Sequence, residues 1–424
     1  KRANEEHATS QEISEKYIEE YFKDAHGLGV RDATVHPKAT ENIQQIIDLV
    51  QTLIDKGYAY PVNGDVYYRT KKFEGYGKLS HQPIEDLQAG ARIDVNDVKE
   101  DPLDFALWKA AKPGEPYWDS PWGQGRPGWH IECSAMSRKY LGLPFDIHGG
   151  GADLVFPHHE NERAQSEAAC GCTFARHWTH SGMLQIANEK TGEIEKMSKS
   201  LNNFLLLHEA LDIVRPETLR MLMLQTHYRS PLVFGDARLA EADAALTRIE
   251  NTVKNLEWLL ASATAEGACA LDAAAIEGAV QAARAAFVDA MDDDFNAPAA
   301  LGAVFTLVGD VNSAIAGKEP TAADVPALIA ARDSIAELMG VFGIDVVAAT
   351  AEGDVYPVEV VDLAAELAGY AGGNATEAVE ALVALRAEAR ASKDWARADA
   401  VRDGMAALGL TIKDTPQGPQ VEMA

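Results

Sequence analysis

The sequence predicts a multidomain protein of the α/β plus all-α class, and three observations support this prediction. The chain has 424 residues, whereas single hydrophobic cores stop growing near roughly 250 to 300 residues. Residues 128 to 190 alternate helical and strand patterns, as an α/β unit does. After Pro216 the pattern is almost wholly helical, and from about Leu239 it is rich in alanine and acidic residues, which indicates a helical bundle.

The first elements are predicted to be helices followed by a hairpin. Between residues 13 and 57 apolar side chains recur at three- and four-residue spacing, which is the helical period. Asn63-Gly64 is a hairpin turn signal, and the β-branched and aromatic residues at 65–69 predict a strand after it.

The middle of the chain is predicted to begin with a loop and to continue as the α/β unit. Residues 102–128 are rich in Pro, Gly and Trp, which indicates a loop with three packing anchors, Trp108, Trp118 and Trp122. The unit should then contain a helix at 131–141, a strand at 145–147 and a helix opened by Pro157, since proline suits a first helical position. A loop near residues 353–357 is predicted to be a linker that precedes the last segment.

Composition is that of a globular protein from a reducing compartment. Hydrophobic residues make up 47% and charged residues 24%, and we see no apolar run that approaches the length of a membrane span. Four cysteines are too few for a disulfide framework, so a cytoplasmic location is expected and Cys170 and Cys172 should be free thiols. The formal charge of −27 argues against a diffuse nucleic-acid-binding surface.

One soft and two harder metal ligands occur within a short stretch. Cys133 supplies the soft ligand, and His158 and Glu162, four residues apart, would share one face of a helix. Thiolate, imidazole and carboxylate together suit Zn²⁺, which prefers four ligands, of which three are visible. His159 and Glu162, three apart, would also share a face, and spacing leaves this alternative open. A third reading is that the two histidines only form hydrogen bonds at a polar helix start.

Two further segments contain groups that are suited to bind charged parts of a ligand. The glycine run at 148–153 follows a strand, where backbone amides can approach an anion, and its Asp153 is suited to hold an ammonium group. Lys196-Met197-Ser198-Lys199-Ser200 places two ammonium groups on a hydroxyl-rich loop. Such a loop can bind the triphosphate of ATP and stabilise the charge that builds on the leaving pyrophosphate.

These segments together resemble the cysteinyl-tRNA synthetase family of class I aminoacyl-tRNA synthetases. The resemblance covers nearly the whole chain and rests on the segments 128–133, 148–154, 156–162, 180–183, 196–200, 227–231, 291–296 and 393–396. It implies a partial class I Rossmann-like catalytic domain with an insertion, followed by a helical bundle and a small C-terminal anticodon-binding domain.

The resemblance also implies domain boundaries. The remainder of the first half of the catalytic Rossmann-like domain would occupy 1–35, a connective insertion 36–125 and the second half of the catalytic domain 126–190. The KMSKS loop and stem-contact region would occupy 191–238, the helical bundle 239–350 and the anticodon-binding domain 351–424.

Site roles follow from the same resemblance. Cys133, His158 and Glu162 would hold one zinc ion that binds the thiolate of the substrate. The amino-acid pocket would include Trp129, His130, His148 and Asp153. The ATP site, which works with Mg²⁺, would include His180, Gly182, Met183 and Lys199, with Lys196 and Lys199 as the catalytic lysines.

The implied reaction has two steps, formation of cysteinyl adenylate from L-cysteine and ATP and transfer to tRNA(Cys), by a protein that we expect to be monomeric. No His-x-Gly-His sequence occurs in the chain, although the family carries such a motif and a fourth ligand, a cysteine, in its amino-terminal portion. We therefore expect this chain to be a fragment that is weakly active or inactive.

A basic stripe near the end of the chain would bind tRNA. Its four cations, Arg386, Arg390, Lys393 and Arg397, follow one another at steps of four, three and four beside Trp395. Cations can follow phosphates while the aromatic ring stacks on an unpaired base. The alternative is a solvated helix face whose charge is balanced by nearby carboxylates.

Two other functions remain open at this stage. One is a paralogous ligase that joins cysteine to an amino sugar in thiol-cofactor synthesis; residues 351–424 argue against it, because that ligase lacks the C-terminal domain. The other is a non-catalytic homologue that binds zinc and RNA.

Overall fold

The computed structural model describes residues 2–84, 98–187, 194–197, 205–347, 356–357, 359–372, 375–415 and 418–423. The chain forms two compact units, Lys1–Asp243 with Phe295–Pro298, and Ala244–Asp294 with Ala299–Ala424. The first unit mixes helices with strands and the second is mainly helical, which confirms the predicted fold class.

The first unit begins with three helices, α1 (Arg2–Glu5), α2 (Ser10–Gly27) and α3 (Ile43–Asp55). Helix α2 begins where Thr9 and Glu12 form a capping box, in which each side chain accepts a hydrogen bond from the other residue's backbone N–H. Helix α3 buries one apolar face, formed by Ile46, Ile47, Leu49, Val50 and Leu53, and so carries the first layer of the core.

A four-stranded antiparallel sheet follows, with strands in sequence order. Its strands are β1 (Ala59–Val62), β2 (Asp65–Tyr68), β3 (Phe105–Ala110) and β4 (Gly125–Pro127). The hairpin predicted at Asn63-Gly64 is confirmed, because both residues have positive φ, 50° and 87°, as a two-residue hairpin turn requires.

The prediction of a loop over residues 102–128 was wrong, because β3 and β4 lie inside it. Trp108 is fully buried in β3, opposite Val66 of β2 and Pro127 of β4. Gly125 permits this packing, since a Cβ atom there would overlap the Trp108 indole. Trp108 and Trp122 make an edge-to-face contact with ring centroids 5.9 Å apart, which confirms their role as packing anchors.

The α/β unit that follows carries most of the candidate site. It contains α4 (Trp129–Leu141), β5 (Phe145–Gly151), α5 (Glu160–Cys170) and β6 (Ala175–Ser181). Strands β5 and β6 are parallel, with Phe145 opposite Ala175 and Gly151 opposite Ser181. The main core of this unit joins α3, the four-stranded sheet, α4 and α5 through residues that all lie between 43 and 169, whereas Phe145, Phe174 and Ala175 form a separate small cluster at β5 and β6.

Two local predictions in this unit require correction. The glycine run is the second half of β5 rather than a loop after a strand, and Gly150 lies so close to His159 that a Cβ atom would meet the imidazole at 2.8 Å. Pro157 does not open an α-helix; it lies in a single π-helical turn, Val155–His159, which precedes α5.

Cys170 and Cys172 form a disulfide, so the prediction of free thiols was wrong for this pair. Gly171 between them has φ +73°, a left-handed conformation that ends α5 and brings the two Cα atoms to 5.3 Å. Cys133 and Cys269 are free.

The first unit ends with a second small sheet and two helices. Strands β7 (Leu184–Ala187), β8 (Ile194–Lys196) and β9 (Leu232–Phe234) pair in the order β8-β7-β9. Helices α6 (Leu207–Leu211) and α7 (Pro216–Leu224) lie between β8 and β9 in the chain. The predicted lysine loop starts at the end of β8, but its residues 198–200, and Lys199 among them, lie outside the described part of the chain.

The second unit contains the long helices that the alanine-rich composition predicts. These helices are α8 (Asp236–Ser262), α9 (Ala273–Asp292), α10 (Ala297–Ile315) and α11 (Val325–Val341). The greater part of α8 belongs to this unit. Helix α10 has the length and apolarity of a membrane span, which the sequence analysis did not note. Every third or fourth residue along it, including Leu301, Val304 and Val308, is buried within the folded chain, as in the core helix of a bundle.

The C-terminal part of the second unit has its own small core. Helices α12 (Glu359–Ala368), α13 (Ala375–Ala391) and α14 (Trp395–Ala407) pack together with the hairpin β10 (Leu410–Thr415) and β11 (Gly418–Met423). The sequence analysis predicted an almost wholly helical chain after Pro216 and missed β9, β10 and β11, which are short or lie at the chain end.

Candidate active site

Three predicted metal ligands meet in the first unit, each supplied by a different element. Cys133 lies on α4, His158 in the π-helical turn and Glu162 in the first turn of α5. One potential ligand atom from each lies within 4.8 Å of the other two. A single ion could therefore bind all three.

Glu162 is the centre of this arrangement. Its side chain is 0% exposed. Oε2 lies 2.7 Å from Nε2 of His148, and Oε1 lies 3.2 Å from Nε2 of His158. Burial tends to raise the pKa of Glu162, but the two histidines outweigh it and lower this pKa to about 2. The residue is therefore a buried carboxylate at neutral pH.

Oε1 of Glu162 is buried and accepts no well-aligned hydrogen bond among the described residues, although Nε2 of His158 lies 3.2 Å away. A buried carboxylate oxygen without a partner is unfavourable in protein interiors. This oxygen belongs to the same cluster as the Cys133 sulfur and the His158 imidazole. The donor set, one thiol, one imidazole and one carboxylate, therefore fits a zinc ion.

Cys133 is half-buried, and burial together with the charge of Glu162 raises the pKa of its thiol to about 12. The thiol therefore stays protonated at neutral pH unless a cation joins it. A bound metal ion reverses this effect, because it stabilises the thiolate directly.

A second set of potential ligands shares Glu162. His148, His159 and Glu162 also have one potential ligand atom each within 4.8 Å of one another, so the alternative that includes His159 is geometrically possible. His159 is buried, and its Nδ1 lies 2.8 Å from Nε2 of His180. The set with Cys133 fits zinc better, because it alone includes sulfur.

His130 and Trp129, predicted to line the substrate pocket, lie directly beside His158. Nδ1 of His130 is 3.0 Å from Nδ1 of His158, and burial, together with His158, lowers the pKa of His130 to about 4. The Trp129 ring is 58% exposed, with its centroid 4.5 Å from that of His158. Both residues line a cavity of about 620 Å³ that also includes Lys109 and Arg126, so an open, partly aromatic space adjoins the metal ligands.

Other predicted site residues lie around the ends of β5 and β6. Asp153 is exposed in a 3₁₀ turn, Ala152–Leu154, that follows β5 directly. His180 lies near the end of β6 and reaches the cluster through His159.

Gly182 and Met183 form the link to the second small sheet. The Gly182 N–H donates to the carbonyl of Tyr228 at 2.6 Å, and the Leu232 N–H donates to the carbonyl of Met183. A side chain at Gly182 would overlap the backbone of Ser230. Both residues therefore hold β7 and β9 together.

The residues predicted to bind tRNA do not form a stripe on one helix. Arg386 and Arg390 lie on α13, whereas Trp395 and Arg397 lie in the first turn of α14. Lys393 in the turn between them has φ +62°, which ends the helical path. The Asp394 side chain then caps α14 by accepting the N–H of Arg397 at 3.2 Å. The prediction of one helical stripe was wrong, because these residues lie on two helices and in the turn between them.

The sequence analysis missed the residues that hold α5 in place. Glu160 is fully buried and accepts the N–H groups of Leu79 and Ser80 at 3.0 and 2.8 Å. The Tyr76 hydroxyl donates to Asn161 at 2.6 Å. Polar residues in the first turn of a helix normally indicate a solvated face, so the only sequence signal was the unusual density of polar residues around the two histidines.

Comparison with known proteins places these features in one family. Residues 1–244 match the "tRNA synthetases class I (C) catalytic domain". Residues 286–346 match the "DALR domain", and residues 373–421 match the "Cysteinyl-tRNA ligase anticodon binding domain".

Curated relatives match over nearly the whole chain. The chain is 47% identical to the cysteine–tRNA ligase of Caldicellulosiruptor saccharolyticus over 99% of its length and 83% of that protein. It is 48% identical to that of Pelotomaculum thermopropionicum over 98% of its length and 83% of that protein. Among solved structures, methionyl-tRNA synthetase of Mycobacterium tuberculosis with methionyl-adenylate has a TM-score of 0.55 at 13% identity, covering 80% of this chain and 79% of that chain. This last likeness shows a shared fold.

Proposed function

Because the chain belongs to the cysteine–tRNA ligase family of class I aminoacyl-tRNA synthetases, we propose that it selects L-cysteine through a zinc ion held by Cys133, His158 and Glu162. We further propose that it activates the amino acid with ATP as cysteinyl adenylate and transfers it to tRNA(Cys). The observation that carries the proposal is the meeting of a thiol, an imidazole and the buried Oε1 of Glu162, an oxygen that accepts no well-aligned hydrogen bond among the described residues.

Zinc supplies a soft Lewis acid that accepts the substrate thiolate, which serine and alanine cannot replace. The chain's own residues fix the ligands. His148 donates from Nε2 to Oε2 of Glu162, which leaves Oε1 directed at the other two ligands. His158 would be a ligand of the ion, and its Nδ1, 3.0 Å from Nδ1 of His130, could donate a hydrogen bond to that neutral ring and so fix the orientation of the ligand. The cavity wall at Trp129 restricts the space beside the thiolate, and Asp153 provides a carboxylate for the substrate ammonium group.

The first chemical step then needs positioning and charge stabilisation rather than a nucleophile from the protein. The cysteine carboxylate attacks the α-phosphate of ATP, and pyrophosphate leaves. Lys196 and Lys199 stabilise the negative charge that develops on the leaving group, with Mg²⁺ bound to the phosphates. The neighbouring residues His180, Gly182 and Met183 contribute to the ATP site. In the second step the terminal ribose of tRNA attacks the adenylate.

The remaining sequence-based expectations stay proposals. They include the domain boundaries at residues 35, 125, 190, 238 and 350, the cytoplasmic location and the monomeric state. The C-terminal match to an anticodon-binding domain favours the tRNA ligase over the amino-sugar ligase.

The proposal is tested by titrating the zinc-loaded protein with L-cysteine and with L-serine in a calorimeter. We expect binding of cysteine that disappears when zinc is removed by a chelator, and no measurable binding of serine. Cysteine-dependent exchange of pyrophosphate into ATP provides the second readout. Zinc-independent cysteine binding would refute the proposed role of the metal, and the absence of cysteine-dependent exchange would refute the proposed activation with ATP.

Replacing Lys199 by alanine should lower the rate of cysteine-dependent pyrophosphate exchange and leave zinc content unchanged. The expected loss is about 100-fold, which is the order found when one preorganised donor to a transition-state charge is removed. Lys71, which pairs with Asp101 at 2.5 Å on the surface, provides the control, since Lys71→Ala should not change the rate. Equal rates for Lys199→Ala and the unmodified protein would exclude Lys199 from the mechanism.

Replacing Trp395 by alanine should weaken the binding of tRNA(Cys) about tenfold, because stacking of one base on an aromatic side chain contributes roughly 1–3 kcal/mol. Trp395 is 59% exposed at the start of α14. Trp258, 50% exposed on α8, is the matched control, and Trp258→Ala should retain normal affinity. Filter binding at fixed salt measures the affinity of both variants for tRNA(Cys). An equal loss for the two variants would contradict a specific role for Trp395.

A further inference from the structure

We propose that Cys170 and Cys172 form a redox-active pair that exchanges with low-molecular-weight thiols, at a site separate from the metal ligands. The two sulfurs are joined in the turn between α5 and β6. Both residues and the exposed Gly171 between them can be reached from solvent at least in part. Where disulfides occur in reducing compartments, they are usually transient and serve in catalysis or redox sensing.

The bridge is unsuited to a structural role. The stabilisation that a disulfide provides grows with the length of the loop that it closes, and here one residue separates the two cysteines. The turn is also held by other bonds. The Gly171 N–H donates to the Glu167 carbonyl at 2.8 Å, the Phe174 N–H to Oε1 of Glu167 at 3.2 Å, and Nζ of Lys56 to the Ala169 carbonyl at 2.6 Å. Breaking the bridge therefore leaves the end of α5 anchored.

The two sulfurs have different surroundings, which favours one direction of attack. The Cys172 N–H lies 2.9 Å from the Cys170 sulfur and donates to it, so it stabilises a thiolate at Cys170. The Lys56 ammonium group binds the carbonyl of the residue before Cys170 and adds positive charge to this end of the helix. The Cys172 carbonyl oxygen, 3.1 Å from the same sulfur, and the C-terminal end of α5 oppose a negative charge there. We infer that the N–H donor and the ammonium group together outweigh them, so that Cys170 is the better leaving group and an incoming thiolate attacks the Cys172 sulfur.

The proposed exchange needs no reactant other than the small thiol and the protein disulfide. A small thiolate attacks the Cys172 sulfur, the bond between Cys170 and Cys172 breaks, and its electron pair stays on Cys170, which takes up a proton. A second thiolate attacks the small-molecule sulfur of the mixed disulfide, and Cys172 leaves as a thiolate that is then protonated. Two small thiols are oxidised to one disulfide, and the protein disulfide is reduced to two thiols.

The pair is separate from the candidate metal site. Glu162 and Cys170 lie on the same helix α5, but eight residues of α-helix correspond to about 12 Å along the axis. The free thiol of the metal set, Cys133, lies on α4. Reduction or oxidation of the pair therefore leaves zinc binding unchanged, and the pair exchanges whether or not the chain binds cysteine as a substrate.

The test equilibrates the whole protein with mixtures of cysteine and cystine, and in parallel with reduced and oxidised glutathione. Samples are quenched with acid and alkylated, and the peptide that contains both cysteines is analysed by mass spectrometry. We expect it to change from bridged and unalkylated to doubly alkylated as the thiol fraction rises, while exposed Cys269 provides an internal check on alkylation. Cys170→Ser should accumulate a mixed disulfide between Cys172 and the small thiol, and the double serine variant should show no transition.

Three results would overturn the proposal. A peptide that stays bridged in thiol-rich buffer would show a static bridge, and one that stays doubly alkylated in disulfide-rich buffer would show that no bridge forms. Zinc content that follows the redox state would show that the pair and the metal site are not separate. The melting temperature of the double serine variant, which should match that of the reduced protein, confirms that the substitutions leave the fold intact.

Discussion

Replacing Cys133 by serine should abolish stoichiometric zinc binding and, with it, the measurable affinity for L-cysteine. Sulfur is the soft member of the donor set, and a serine hydroxyl is not a ligand for zinc at neutral pH. The loss of zinc affinity should exceed the about 10- to 100-fold that is typical when a residue supporting a metal ligand is changed. Elemental analysis after dialysis measures zinc, and calorimetry measures cysteine binding.

The matched control is Cys269→Ser. Cys269 is the other free cysteine, and its side chain is exposed on the second unit, so its replacement should change neither quantity. Cysteine and serine are similar in size, and the α4 helix should therefore stay folded in both variants, which far-ultraviolet circular dichroism checks. Retention of one zinc ion per chain by Cys133→Ser would remove this residue from the site.

Replacing Trp108 by alanine should lower the free energy of unfolding of the first unit by about 3 to 5 kcal/mol, the range for a fully buried large aromatic side chain. The indole lies in β3 between two paired strands and contacts Trp122. Its Nε1 is buried without a hydrogen-bond partner among the described residues, so truncation breaks no hydrogen bond there. The cost arises from lost apolar contacts and from the cavity left behind.

Urea unfolding followed by circular dichroism should show the transition of the first unit at lower urea in Trp108→Ala, with the transition of the second unit unchanged. Trp118→Ala is the comparison, because Trp118 packs against the same core but is only partly buried. Replacing Trp118 should lower the free energy of unfolding by less than half as much as replacing Trp108. A cost for Trp108→Ala no greater than that for Trp118→Ala would contradict the role of Trp108 as the main anchor of the sheet.

The closeness of two of the three proposed metal ligands could be predicted from the sequence because it is set by local geometry. Two of them, His158 and Glu162, are four residues apart, and that spacing sets their proximity whether the intervening turn is π-helical or α-helical. Cys133 joins them through the packing of α4 on α5. The Gln165 side chain secures this packing by donating to the His130 carbonyl and the Ser134 hydroxyl. No local pattern encodes that contact, and the inclusion of Cys133 relied on the donor chemistry and on the family resemblance.

Other features could not be predicted because they depend on contacts between distant segments. The strand that holds Trp108 exists through its pairing with β2 and β4, which overrides a composition typical of loops. The glycine run is extended because β6 pairs with it along its whole length, and its lack of side chains makes room for His159 rather than for a phosphate group. The basic residues near the C-terminus follow a helical spacing, but the left-handed conformation at Lys393 interrupts the helix.

The core beneath the candidate site has a consequence for how the protein is made. Its buried residues lie between positions 43 and 169, and all three proposed zinc ligands fall within the same stretch. Domains generally fold as units during synthesis, with the N-terminal ones first. Every residue of that core and all three proposed ligands are synthesised before any of the helices from α8 onward. A nascent chain can therefore bring the proposed ligands together before the helices that we propose to bind tRNA exist.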